Sequence, residues 1–232
     1  MKDTLTHISI VMDRSGSMAS VAKEAENAIN HFIVDQKNQP GECTLFFIDF
    51  DTEAPHRVVY DGAIQDASEY MLDPRGMTPL LDAIGWTIIQ TGKRLDAMPE
   101  ADRPAKVIFV IQTDGLENAS REFTWEGVRD LIKEQTDTYA WQFIFLGMGL
   151  DTFKQGDALG IQNTVSTVAN NAATHDSTYS VLSANTTAYR SGAAQTMGGM
   201  RGMHVNAMGK VYDNDGNEID PQTGKIKAQS TT

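Results

Sequence analysis

Three short segments hold residues whose types and spacing can gather hard oxygen ligands. The first is Asp13-Arg14-Ser15-Gly16-Ser17-Met18, directly after an apolar run. An acid and two hydroxyls at alternating positions, with a glycine to make the turn, can direct three oxygens at one spot. The second is Gly76-Met77-Thr78-Pro79-Leu80, with Thr78 at the mouth of a helix-like pattern, and the third is Thr113-Asp114-Gly115, which closes a β-branched run. Hydroxyl and carboxylate oxygens suit magnesium, calcium or manganese rather than zinc or copper. Two carboxylates just offset a divalent charge, and hydroxyls are weak donors, so such an ion would keep a position open for an outside oxygen. A small octahedral ion that retains waters, magnesium, fits best, with manganese and calcium compatible with the same donors.

Each residue also has a plainer reading. Thr78 before Pro79 looks like a helix N-cap with proline at the first helical position. Ser15 and Ser17 are ordinary turn residues, and Asp114 is an ordinary loop acid. A competing motif is Asp49-Phe50-Asp51-Thr52, which is similar to the nucleophile motif of haloacid-dehalogenase-type phosphatases. In that chemistry Asp49 attacks phosphorus and Asp51 protonates the leaving group beside magnesium. The motif would have to end the first strand, and Gly156-Asp157-Ala158-Leu159-Gly160 lacks the second acid of the closing pair. A buried strand running into an acidic turn is the better account.

Other signals fall away. The five histidines show no metal-ligand spacing, and no GxxxxGK[ST] loop is present. Gly147-Met148-Gly149 lacks the third glycine of a dinucleotide loop and reads as a strand-to-helix turn. Asp213 to Gly216 resembles the start of a calcium loop, but its twelfth position is Gly224 instead of glutamate. Cys43 reads as a small buried hydrophobe. Met197, Met200, Met203 and Met208 suit either a contact surface or irregular core filling.

Composition excludes whole classes of function. The chain has 232 residues, 41% hydrophobic and 22% charged, enough for a core without disulfides. With 19 Lys and Arg against 31 Asp and Glu, the formal charge is −12. No basic face for nucleic acid is visible. The apolar stretches are too short to span a bilayer, and Met1-Lys2-Asp3-Thr4 opens no secretory h-region. One cysteine excludes an internal disulfide. An intracellular, cytoplasmic protein is expected.

The elements that must position these residues alternate. Strands are expected over His7–Met12, Thr44–Phe50, Arg57–Tyr60 (an edge), Lys106–Gln112 and Trp141–Leu146. Helices are expected over about 20–37, around Leu80 to Ile88 and around Trp125 to Ile132. Such alternation predicts an α/β fold, a three-layer, doubly wound, mostly parallel sheet. The three segments then lie at strand carboxyl ends, where such sheets bind ligands. Beyond about 160 the pattern weakens. Thr174–Tyr189 suits a helix, Ser191–Met203 a Gly/Met-rich linker, and Val211–Ile219 a hairpin turning at Asp213–Asn217. The last residues are expected to fray. The expected division is a domain over 1–190 and a linker with a hairpin tail over 191–232, the tail dispensable for metal binding because every candidate ligand precedes residue 115.

In combination, DxSGS after a first strand, Thr78 in its GMTPL loop and TDG after a central strand resemble the von Willebrand factor A domain and its metal-ion-dependent adhesion site. The resemblance covers about residues 5–160 and is greatest to stand-alone bacterial or phage members, including those of tellurite-resistance operons. It implies a six-stranded sheet with one antiparallel edge strand. It also implies that Ser15, Ser17 and Thr78 bind the ion directly and that Asp13 and Asp114 often act through water. The implied function is non-enzymatic: a metal-dependent protein-binding module, cytoplasmic or part of a phage-related assembly, whose ion takes an Asp or Glu carboxylate from a protein partner.

Overall fold

Apolar residues alternate between the two faces of one sheet and build two cores. In the computed structural model, which describes residues 1–169 and 171–227, β1 (Lys2–Asp13) lies between β2 (Glu42–Phe50) and β4 (Pro104–Gln112), parallel to both. Ile8, Ile10 and Met12 of β1 join one core with α1 (Ala22–Lys37) and α5 (Ala172–Arg190). Val11 joins the opposite core, with α2 (Leu80–Asp96), α3 (Trp125–Tyr139) and α4 (Leu150–Leu159). The same split separates Leu45 and Phe47 from Phe46 and Ile48, and Ile108 and Val110 from Phe109 and Ile111. Strands covered on both faces have no polar side to show, which is why they read as unbroken apolar runs.

From β1 the chain steps outward to β2 and β3 (Arg57–Ala63), then returns across β1 to β4, β5 (Gln142–Met148) and β6 (Asn163–Thr167). The order β3-β2-β1-β4-β5-β6 has only β3 antiparallel, as the edge strand. The reversal of direction across the sheet falls between β1 and β4, the topological switch point. Asp13 ends β1, and Thr113-Asp114 follows β4 directly.

The strand β6 and the helix α4 were not individually legible. Asn163-Thr164-Val165-Ser166-Thr167 carries one aliphatic residue, yet Thr164, Ser166 and Thr167 are buried. Their hydroxyls bond to backbone carbonyls instead, as Ser166 Oγ does to Gly149 at 2.6 Å.

The segment expected as a linker is packed chain. Met197, Met200 and Met203 are buried in the α1/α5-side core, whereas Met208 is exposed. Flexible thioethers fill an irregular gap without needing a helical or strand period, so no periodic signal marks them. β7 (Met203–Val205) pairs parallel with β6, and β8 (Val211–Tyr212) and β9 (Glu218–Ile219) continue antiparallel, giving nine strands among the described residues. The hairpin turns where expected: Asp213 Oδ1 accepts the Asp215 and Asn217 amides at 3.0 and 2.8 Å. The residues expected to fray at the end, 228–232, lie outside the described residues. Among the described residues, no helix is long and apolar enough to cross a membrane.

Candidate metal centre

Asp13 sits at the carboxyl end of the central strand, fully buried. Its Oδ1 accepts the Ser15 amide at 2.7 Å and its Oδ2 accepts the Thr113 hydroxyl at 2.6 Å. The Ser15 and Ser17 hydroxyls are 3.0 Å apart, and Ser17 Oγ donates to Asp114 Oδ1 at 3.1 Å. These bonds link four of the five expected residues into one cluster. Burial pushes the Asp13 carboxyl up to about 6, the nearby Asp114 charge adds to this, and the Thr113 and Ser15 bonds oppose it.

Thr78 enters the same space. A methyl placed on Gly115 would lie 3.1 Å from Thr78 Oγ1, 3.2 Å from Ser17 Oγ and 3.5 Å from Asp13 Oδ2. Oxygens from the first and second segments thus face one point, which the third segment leaves clear because Gly115 has no side chain. The expected N-cap role of Thr78 is not seen: the cap position of α2 is Pro79, and no side chain bonds there. Instead Thr78 accepts and donates through its backbone, its amide to Asn118 Oδ1 at 3.0 Å and its carbonyl from the Asn118 amide at 3.2 Å.

The first turn of α2 is capped from the neighbouring loop. Glu117 Oε2 accepts the Leu81 amide at 3.0 Å, and Ser120 Oγ accepts that of Asp82 at 3.1 Å. Asp82 in return accepts the amides of Arg121, Glu122 and Phe123 at 2.8–2.9 Å. On the far side, Gln155 of α4 accepts the Glu117 amide and donates to the Gly115 carbonyl, both at 3.2 Å. The loop carrying Asp114 is therefore fixed to the helix that Thr78 precedes. Sequence reading missed Thr113, Gly115, Glu117, Asn118 and Gln155. The TDG triplet was a signal for the first two, but the rest show no pattern before the chain folds.

Among the described residues, no group of three or more His, Cys, Asp or Glu side chains is placed to hold a metal. The donor set here is of another kind, two carboxylates with three hydroxyls. It fits a hard divalent cation: the oxygens converge, and among the described residues no ion pair offsets the buried Asp13 carboxylate.

The rival carboxylates are engaged elsewhere. Asp49 is buried and paired with Arg57, and its Oδ2 also accepts the Tyr70 hydroxyl at 3.0 Å. Asp51 accepts two amides and pairs with Arg14 and Arg75. Burial would raise its carboxyl, but these donors hold it below its ordinary value. Neither carboxylate faces an open reaction space.

No protein-family model and no curated protein sequence matches the chain. Solved structures do. The ArnB paralog VWA2 from Sulfolobus acidocaldarius is 17% identical, with a TM-score of 0.50 over 80% of this chain and 45% of that one. The pilus adhesin SpaC from Lactobacillus rhamnosus GG, in its open conformation, is 14% identical, with a TM-score of 0.56 over 79% of this chain and 30% of that one. Proximal thread matrix protein 1 from the mussel byssus, with a zinc-occupied MIDAS motif, is 13% identical, with a TM-score of 0.52 over 79% and 48%. The chain spans less than half the length of these proteins. At such identities the likeness is one of fold.

Proposed function

We propose that this chain, which has the von Willebrand factor A fold, is a metal-dependent protein-binding module without catalytic activity. Asp13, Ser15, Ser17, Thr78 and Asp114 hold the divalent cation, magnesium by preference. The observation that carries this reading is the convergence of Thr78, Ser17 and Asp13 oxygens on the clear space beside Gly115. Two separate segments supply them, and the third supplies the glycine that leaves the space clear.

When bound, the cation supplies an electrophilic position for an oxygen of another molecule. Neutral hydroxyls leave it more electrophilic than a cage of carboxylates would. An Asp or Glu side chain of a protein partner is the ligand of choice. The net charge of −12 disfavours a strongly acidic partner. Separated surface charges are screened beyond about 8 Å at physiological salt, so a single acid on a neutral or basic surface approaches freely. A cytoplasmic setting and the reading of residues 1–190 as the family frame, with the rest an added sheet extension, belong to the same proposal.

The experiment is affinity capture with the whole chain in magnesium and again in EDTA, repeated with Asp114→Ala and Thr78→Ala. A partner retained only by the wild type in magnesium supports the reading. Equal retention under all four conditions places the binding surface elsewhere. A phosphatase screen with an Asp49→Asn control tests the enzymatic alternative, for which neither Asp49 nor Asp51 offers a free carboxylate.

A further inference from the structure

The segment carrying Ser15 and Ser17 and the segment carrying Thr78 are joined by a buried ion-pair chain. Its centre is Asp51, fully buried just beyond the end of β2. Arg14, from within the first segment, brings Nη2 to Asp51 Oδ2 at 2.6 Å, and Arg75, from the second, brings Nε to the same oxygen at 3.0 Å. The other oxygen, Oδ1, accepts the Glu53 and Ala54 amides at 2.6 and 2.7 Å, which fixes the carboxylate in its own turn. The backbone repeats the connection. Arg75 N donates to Arg14 O at 2.8 Å, Gly16 N to Gly76 O at 3.1 Å, and Met77 N to Thr52 Oγ1 at 3.1 Å.

Gly76 shows how closely these segments approach. It has φ +68°, and a methyl there would lie 2.7 Å from Thr52 Oγ1. Arg14 is 2% exposed, so its charge is held almost wholly by Asp51 and, at 3.6 Å, Asp49. A buried guanidinium of this kind is costly unless paired, so its position is strongly specified.

We propose that Asp51 is a positioning residue: by holding Arg14 and Arg75 on one carboxylate oxygen, it fixes the spacing between the Ser15/Ser17 hydroxyls and Thr78, and thereby the ion size the site prefers. This rests on the metal-centre reading above. Magnesium demands ligands at about 2.0–2.1 Å in near-octahedral geometry, whereas calcium accepts about 2.3–2.6 Å in flexible geometry. Loosening the link between the two segments therefore weakens magnesium more than calcium.

Arg75→Gln is the decisive variant, because its side chain is 41% exposed and the substitution leaves the buried Arg14–Asp51 pair in place. Removing a positive charge near a cation site tightens binding if Coulomb interaction alone acts. The positioning role predicts the opposite sign. Magnesium and calcium affinities are measured by isothermal titration on the whole chain, with melting curves in EDTA to verify the fold. The expected result is magnesium binding weakened about tenfold and calcium binding weakened less than about threefold, with Arg75→Lys restoring most of the loss. Arg57→Gln removes a like charge paired to Asp49 and is expected to leave the affinity ratio unchanged. A wild-type chain that binds neither ion overturns the metal reading and this one with it. A wild-type chain that binds, with Arg75→Gln as tight or tighter or with an unchanged ratio, overturns the positioning role alone.

Discussion

Thr113 and Asp13 close the gap between the carboxyl ends of β4 and β1, the Thr113 hydroxyl donating to Asp13 Oδ2 at 2.6 Å. The same hydroxyl accepts the Gly115 amide at 3.1 Å, so one side chain fixes both the buried acid and the backbone beside the oxygen cluster. Thr113→Val keeps the shape and removes both bonds. In EDTA at pH 7 it is expected to cost about 1–3 kcal/mol, the range for a hydrogen bond to a charged, buried group. Urea unfolding measures this; a loss below about 0.5 kcal/mol would show that the bond contributes little.

Adding magnesium should stabilise the fold by mass action. At a concentration one hundred times the dissociation constant the gain is about 2.7 kcal/mol, which for a chain of this size raises the melting midpoint by roughly 5–10 °C. Asp13→Asn and Thr78→Ala should each abolish most of the shift. Identical midpoints with and without saturating metal would falsify the site.

Gly115→Ala tests the cradle directly. Gly115 is absent from the positive-φ glycines, so its backbone accepts an alanine. The added methyl, 3.1 Å from Thr78 Oγ1 and 3.2 Å from Ser17 Oγ, occupies the space where the oxygens converge. Titration calorimetry should show binding of manganese or magnesium weakened at least about tenfold, some 1.4 kcal/mol, with little change in the melting midpoint in EDTA. Unchanged affinity would move the ion away from Gly115.

His7 makes stability fall in acid. It is buried in β1, with Nδ1 at 2.8 Å from Thr44 Oγ1 and Nε2 at 3.1 Å from Ser9 Oγ. Burial, with a smaller contribution from Arg94, lowers its pKa to about 3. An unfolded histidine titrates near 6.5, so between these values the unfolded chain binds the extra proton. The contribution is complete above about pH 6.5 and is lost as pH falls, by up to about 1.4 kcal/mol per pH unit. Urea unfolding of wild type and His7→Gln from pH 7 to 4.5 isolates this, and parallel profiles would remove His7 as the cause.

Met200 separates fold from site. Its side chain is fully buried in the α1/α5-side core. Met200→Ala is expected to cost about 2–5 kcal/mol and to leave metal affinity within about twofold. Truncation after Tyr189 also removes β7, uncovers β6 and deletes Arg190, whose Nη1 bonds the Gln36 carbonyl at 2.8 Å. That chain should unfold at far lower urea. If it melts like the full chain, residues from 190 onward do not support the core.

The sequence by itself determined the strands as far as β5, the three helices between them and the three segments that end at one edge. Period and punctuation are local properties, and Ile8, Ile10 and Met12 or Asp13, Ser15 and Ser17 display them within a few residues. Tertiary structure alone decided three other matters. It showed Thr78 released from capping because Glu117 and Ser120, some forty residues on, take the free amides of α2. It seated Met197, Met200 and Met203 in the core, where shape is filled without any period. It also joined Arg14, Asp51 and Arg75 on one carboxylate oxygen, a contact between residues 24 to 61 positions apart that no local pattern encodes, because a buried charge is specified only by what surrounds it once water has been excluded.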